Sequence, residues 1–357
     1  MANPIIHQIV AGFRKGDAIS DEAMLLQSLC IAHGYEAPLY CARSTTAVEQ
    51  PSLVRDLDSL AGAVKPEDIV LLHLSIGSSG NGLFSNLKCR KVILYHNVTP
   101  SHFFERLNPP MAKMLDDGRR QVAALANVAE INLADSEYNA QELREAGYQN
   151  VSVLPLVVDA SFGAGAIDPV MKARLTNDGK VNLLFVGRVV PNKRHDHLLQ
   201  VFHHFQHYLE PNSRLIIAGS SNGQEAYKSL LLGSVHALEL KNVLFTEFVT
   251  SAELNACYAS ASAFVCLSEH EGFCAPLLEA MAWNVPVFAT ATAAVPETLA
   301  GAGVLFPSFD LAVIAETIAR VIQDSNLKAA ILKRQQQRLA NYRRRDVWGE
   351  VKSLLKI

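Results

Sequence analysis

Short apolar runs alternate with longer helical patterns along this chain, and the alternation starts over once. Ile5 to Val10, Ile69 to Leu74, Val92 to Tyr95 and Val151 to Val158 read as strands, and Val128 to Leu133 is a further apolar run. Between them Asp21 to His33 reads as a helix stopped by Gly34. Ser136 can cap another, which runs to Ala146 and stops at Gly147. Asp159 to Lys180 then breaks the pattern with Gly163, Gly165, Pro169 and Gly179. Strand patterns resume at Val181 to Val186, Arg214 to Ala218, Val243 to Phe245, Ala263 to Leu267 and Val285 to Ala289, with helices at His195 to Tyr208 and Pro276 to Ala282. Strands that alternate with helices form parallel βαβ units. The fold class is therefore α/β, with two Rossmann-like units of similar size joined near residue 160. Ligands in such folds sit beyond the carboxyl ends of the strands, so a cleft between the units is the expected site.

Composition narrows the function. The 357 residues are enough for about two domains. Lys plus Arg is 32 and Asp plus Glu is 35, a formal charge of −3, which excludes a general nucleic-acid binder acting by bulk charge. The six cysteines form no C-x-x-C pair and lie in apolar surroundings, which reads as buried hydrophobes in a reducing compartment. No run reaches the length needed to span a bilayer, and the first ten residues lack a signal-peptide pattern, so a cytoplasmic location is expected.

Two segments point to chemistry. Ser268 to Val287 follows a strand and reads SEHEGFCAPLLEAMAWNVPV. Pro276 suits a first helical turn, which puts Glu271 in the preceding loop and Glu279 about one turn in. The loop Gly272, Phe273, Cys274 presents backbone N–H groups at a positive helix end, which favours anions, and the carboxylates suit sugar hydroxyls. The second segment, Phe185 to Leu199, places Arg188, Lys193 and Arg194 in a loop from strand to helix, where cations favour phosphate. Taken singly, each set of charges also suits an ordinary solvated surface.

Together these segments resemble the family 4 retaining glycosyltransferases, of the GT-B architecture with two Rossmann-like domains facing across a cleft. The match is to an E-x7-E motif at Glu271 and Glu279 and to a G-R-x4-K pattern at Gly187, Arg188 and Lys193. It extends to Ser136, Pro155 and Asp159 and is densest from Val181 to Pro307. The resemblance implies that Arg188 and Lys193 bind the donor diphosphate, that Glu271 lies by the donor sugar, and that Glu279 takes the ribose hydroxyls. It implies that Phe273, Cys274 and Ala275 touch sugar or phosphate through backbone N–H groups. In the first unit the loop Gly12 to Asp17, with Gly16 foremost, would approach the diphosphate, and His96 would contact the donor sugar. Glu247 and Phe248 stand where the family meets the base. Family members often have glycine where Glu247, Cys274 and Asn284 stand here. The implied domains are 1–159 and 160–339, with a helix at about 340–357 packing back on the first.

The reaction so implied is metal-independent hexosyl transfer with retention, from a nucleotide-diphosphate sugar to a hydroxyl of a glycan or lipid-linked acceptor in surface polysaccharide synthesis. The departing phosphate would take the acceptor proton, and no separate cofactor is expected. GDP-mannose is the expected donor and a UDP-sugar the alternative. A nucleotide-sugar epimerase and a non-catalytic binding subunit are the competing classes.

Other patterns are weaker. Asp56-Leu57-Asp58 has D-x-D spacing but falls within a helix expected over Pro51 to Ala63, so no metal site is expected there. His203 and His207 share a helix face without zinc-site partners. Gly77 to Gly82 reads as a flexible loop. One helical stretch from about Leu327 to Leu355 carries Lys333, Arg334, Arg338, Arg343, Arg344 and Arg345, which suits a solvated face or a peripheral contact with an anionic membrane surface.

Overall fold

The computed structural model of the protein describes residues 3–47, 52–158 and 163–357. The chain divides into two compact units. The first comprises residues 1–102, 109–159 and 346–357, and the second comprises 103–108 and 160–345. Asp159, one of the family-matching positions, and Pro51 lie outside the described residues.

The first unit is built on strands β1 (Ile6–Val10), β2 (Leu39–Cys41), β3 (Arg55–Asp56), β4 (Ile69–Leu74), β5 (Arg90–Tyr95), β6 (Ile131–Ala134) and β7 (Val151–Val153). They pair in parallel in the order β3-β2-β1-β4-β5-β6-β7. The strand order reverses direction between β1 and β4, which is the switch point where such sheets open a crevice. Strands covered on both faces read as continuous apolar runs, and Ile69–Leu74 is buried throughout. The helix Ala18–Ala32 starts where Asp17 accepts from the Ser20 amide. The Ser136 hydroxyl likewise accepts from the Asn139 amide, as its sequence position predicts.

The second unit holds β8 (Val181–Val186), β9 (Ser213–Ala218), β10 (Val243–Glu247), β11 (Ala263–Cys266), β12 (Val287–Thr290) and β13 (Val304–Phe306). Their order is β10-β9-β8-β11-β12-β13, all parallel, with the switch point between β8 and β11. The helix that begins at His195 changes after His204 into one wide π turn over Phe205–Leu209.

Three expectations are corrected. Gly77 to Gly82 is not a loop: a helix runs over Ser79–Asn86. Gly80 serves close packing, because a Cβ there would lie 2.9 Å from Ile9 Cγ2 on β1, whereas Gly82 faces open space. Asp56 ends β3 and Asp58 sits in a 3-10 turn over Leu57–Ser59, so this D-x-D lies at a strand end and not in one long helix. The C-terminal helical stretch is two helices, Ser325–Arg343 and Val347–Leu355, the second capped by Asp346 accepting from the Gly349 amide. Val351 and Leu355 of that last helix enter the core of the first unit beside Ile6, Leu26 and Val92, and Arg90 donates to the Leu355 carbonyl at 2.8 Å.

Among the described residues no helix is long and apolar enough to cross a membrane. Of the C-terminal basic residues, Arg338 donates to the Thr298 carbonyl, and both Arg338 and Arg345 stack on Tyr342. Lys333, Arg334, Arg343 and Arg344 are exposed.

Candidate active site

In the second unit the loops after β8 and β11 are laced together at the switch point. β8 ends at Gly187, whose φ of 146° and amide bond to the Ala218 carbonyl turn the chain out of the sheet. A Cβ on Gly219 would overlap the Gly187 carbonyl oxygen, so the two strand ends meet backbone to backbone. A short 3-10 turn, Pro191–Lys193, follows. From it Asn192 donates to the His270 carbonyl at 3.1 Å and accepts from the Glu269 amide at 2.9 Å.

This lacing brings Lys193 Nζ to 2.5 Å from Glu271 Oε2. Burial alone would lower the Lys193 ammonium, but the Glu271 charge and hydrogen bond outweigh it and hold its pKa above the usual value. Arg194 turns away, bonded to both Asp196 oxygens and to Glu269, so it belongs to the scaffold and not to a phosphate site. Arg188 is exposed, with no carboxylate within ion-pair distance among the described residues. The loop thus presents one open cation and one cation bound to a carboxylate.

The segment after β11 is held by its backbone. The Ser268 carbonyl accepts from Thr290 and Thr292, and the Phe273 carbonyl accepts from Thr298 at 2.5 Å. The helix Ala275–Ala282 begins after Cys274, with Pro276 in its first turn as expected. Gly272, Phe273, Cys274 and Ala275 therefore lead into a first turn whose amides lack intrahelical acceptors. Glu279 is half-buried and accepts from the Tyr258 hydroxyl at 2.6 Å. Burial, and then the Glu279 charge, push the Tyr258 phenol far up, so it stays a donor. Tyr258 lies on another helix, and no sequence signal linked it to Glu279.

Glu247 ends β10 with a side chain committed to the protein: it accepts from the Ser221 amide and hydroxyl and pairs with Lys228. Phe248 beside it is 71% exposed. Glu247, Cys274 and Asn284 have φ values of 58°, 70° and 56°. All three positions where the resembling family favours glycine are thus left-handed here, where a side chain costs about 1–2 kcal/mol.

In the first unit Gly16 has a φ of 87° and open space where a Cβ would stand, but its amide already donates to Asp21 at 2.9 Å. His96 follows β5 and is turned inward. Its Nε2 lies 3.0 Å from His73 Nδ1, and its Nδ1 lies 3.3 Å from Asp135 and 3.5 Å from Glu22. Both ring nitrogens face interior partners. Burial would lower its pKa, but the hydrogen bond it donates to Asp135 and the charges of Glu22 and Asp135 raise it. Gln8, Glu22, His73 and Asp135 were missed in the sequence. The signal was there for His73, which interrupts an otherwise wholly apolar strand, whereas Gln8 stands beside a second polar residue, His7, in β1. His203 and His207 bond to the carbonyls of Leu238 and His203, so they serve helix structure.

Two doubly wound α/β units, each with its polar groups at the carboxyl ends beside a switch point, define a paired Rossmann-like protein. HepE from Anabaena, solved with UDP and glucose, has the same fold, with a TM-score of 0.75 and 16% identity over 99% of this chain and 100% of that one. Residues 167–338 match the family model "Glycosyl transferases group 1", and the chain has the α/β fold of GT-B glycosyltransferases, with two parallel-sheet Rossmann-like units. A GDP-mannose-dependent alpha-mannosyltransferase of Mycobacterium tuberculosis is 31% identical over 166 residues, which is 46% of this chain and 40% of that protein. The O-antigen chain mannosyltransferase B of Escherichia coli is 27% identical over 40% of this chain and 37% of its own length. The chain thus spans well under two thirds of the curated relatives it matches.

Proposed function

We propose that the protein is a retaining, metal-independent hexosyltransferase that moves mannose from GDP-mannose to a hydroxyl of a glycan or lipid-linked acceptor in surface polysaccharide synthesis. The observation that supports this best is the pairing of Lys193 with Glu271 beside the open Arg188, with Glu279 one turn into the next helix. Departure of a nucleoside diphosphate builds negative charge on phosphate oxygens. Fixed donors aimed at that charge lower the barrier without reorganising at the moment of reaction. Arg188 is placed to meet the diphosphate. The Lys193 ammonium neutralises it from the buried side, and Glu271 fixes the ammonium and offers an acceptor to the sugar. Glu279, oriented by Tyr258, accepts from the ribose hydroxyls, and Phe248 and Glu247 border the base. The acceptor hydroxyl loses its proton to the departing phosphate, so no protein base is assigned.

GDP-mannose is preferred over a UDP-sugar because the mycobacterial mannosyltransferase is the more similar in sequence. The exposed basic residues near Arg344 suit an anionic membrane face, where a lipid-linked acceptor would be met. The test is melting temperature against GDP, UDP, ADP and dTDP, each with EDTA and with magnesium. A ligand at 100 times its dissociation constant adds about 2.7 kcal/mol. Stabilisation by GDP that survives EDTA is expected. A chain whose melting no nucleotide shifts is not this enzyme.

A further inference from the structure

Two cysteines of the second unit meet beside the Glu271 carboxylate. The sulfurs of Cys266 and Cys274 lie 3.8 Å apart. Cys266 Sγ also lies 3.3 Å from the Ser268 hydroxyl and 4.0 Å from Glu271 Oε1. Both side chains are buried, Cys266 at 1% and Cys274 at 8% exposure. Cys30, Cys41, Cys89 and Cys257 have no second cysteine in contact among the described residues.

The main chain keeps this pair together. Cys266 ends β11, a central strand paired with both β8 and β12. Cys274 stands just before the helix Ala275–Ala282, with a φ of 70°. The segment between them is tied to its neighbours. Thr290 and Thr292 donate to the Ser268 carbonyl, the Ala294 amide to the Glu271 carbonyl, and Thr298 to the Phe273 carbonyl. A disulfide sets its sulfurs at about 2.05 Å, about 1.8 Å closer than the 3.8 Å found here. Since β11 is held on both sides, that closure falls mainly on the Cys274 turn. The two sulfurs and Glu271 are also a set that could hold a metal ion. The Lys193 ammonium, however, sits 2.5 Å from Glu271 Oε2 and repels a second cation. On a thiol the same charge acts the other way, because it favours the reactive thiolate, and it reaches both sulfurs.

We propose that Cys266 and Cys274 are a reversible, peroxide-sensitive dithiol, whose disulfide closes a short ring around Glu271 and weakens donor binding at this site. Peroxide enters at Cys274, the more open sulfur. Its O–O bond breaks as Cys274 becomes a sulfenic acid and one water leaves. Cys266 sulfur then attacks Cys274 sulfur, the S–O bond breaks as the S–S bond forms, and the hydroxyl leaves with the Cys266 proton as a second water. Two electrons pass from the sulfurs to the peroxide. Transient disulfides of this kind occur in compartments that otherwise keep thiols reduced. The effect on binding rests on the transferase reading, in which Glu271 and the turn through Cys274 face the donor. The disulfide chemistry does not rest on it.

The test starts with hydrogen peroxide added to the full chain, after which free thiols are alkylated in denaturant and located by mass spectrometry. Cys266 and Cys274 should escape alkylation together, their segment should be lighter by two hydrogens, and dithiothreitol should restore both thiols. Alkylation of both after peroxide, or oxidation of either without loss of the two hydrogens, overturns the pair. Binding of GDP and UDP is then measured by calorimetry on reduced and oxidised chain. Oxidation should weaken the nucleotide that binds by about tenfold, as for one misplaced charge-assisted hydrogen bond, and dithiothreitol should restore it. Cys266→Ser removes the pair and leaves the groups assigned to the donor in place. Reduced, it should bind as the parent does, and peroxide should no longer weaken it. Cys266→Ala serves if the serine variant does not fold. An oxidised parent that binds unchanged overturns the effect on binding, and so does a Cys266→Ser chain that weakens as the parent does. A reduced parent that binds neither nucleotide, yet forms the disulfide, sinks the transferase reading and leaves the dithiol standing.

Discussion

Each unit buries a histidine near the carboxyl end of its sheet, and their surroundings push the two pKa values in opposite directions. His96 in the first unit and His195 in the second are both almost fully buried. Burial disfavours the imidazolium in both. His96 lies against the carboxylates of Asp135 and Glu22, and its pKa rises. His195 lies against the edge of Phe185 and near the Lys193 ammonium, and its pKa falls to about 3 through burial and then that positive charge. Burial lowers both: at His96 the neighbouring carboxylates outweigh it, whereas at His195 the Lys193 charge adds to it. The second unit needs a neutral ring because Lys193 already holds the positive charge there.

The largest expected effect comes from removing the carboxylate that holds His96. Asp135→Asn leaves a buried cation with one partner fewer, which we expect to cost about 3 kcal/mol of unfolding free energy in denaturant titrations. A cost near zero would mean that His96 is neutral in the folded chain. The second unit should respond to acid in the opposite sense. Unfolded, His195 titrates near 6.5, whereas folded it stays neutral to about 3, so between those values the unfolded state binds one more proton. Stability is then lost as pH falls below 6.5, at about 1.4 kcal/mol per pH unit from this group. His195→Phe should flatten that slope in melting curves taken from pH 7 to 5. His96 has the reverse sign: its contribution is full below 6.5 and is lost as pH rises through its raised folded value. Smaller still, Glu279→Ala should weaken nucleotide binding about tenfold by titration calorimetry, and it should also lower the melting temperature because it leaves the buried Tyr258 hydroxyl without its acceptor. The smallest effect concerns the left-handed residues. Cys274→Gly should raise stability by about 1 kcal/mol, whereas Glu247→Gly should not, because Glu247 repays its backbone strain through Ser221 and Lys228.

Local features were legible in the sequence. Apolar runs marked the longer strands but not Leu39–Cys41, Arg55–Asp56 or Val304–Phe306, Ser136 and Pro276 marked two helix starts, and the segments singled out for Lys193 and Glu271 do meet. What was not legible depends on distant parts of the chain. Gly77 to Gly82 reads as a loop by propensity, yet its glycines let a helix press against β1 and against Gly118. Tyr258 reaches Glu279 from another helix. The row of contacts from Gln8 through His73 and His96 to Asp135 spans over a hundred residues of sequence and exists only because four neighbouring strands bring it into line. The position of His96 was visible, but the partners of its ring were not, since they come from other elements.

The contact of Gly219 with the Gly187 carbonyl has a consequence for how this chain can change. The loops after β8 and β9 meet through main chain alone, so any side chain at Gly219 would force them apart. If the proposed function holds, Phe248, 71% exposed at the end of β10, would be free to vary with the nucleotide while the backbone contact that carries the Arg188 and Lys193 loop stays as it is.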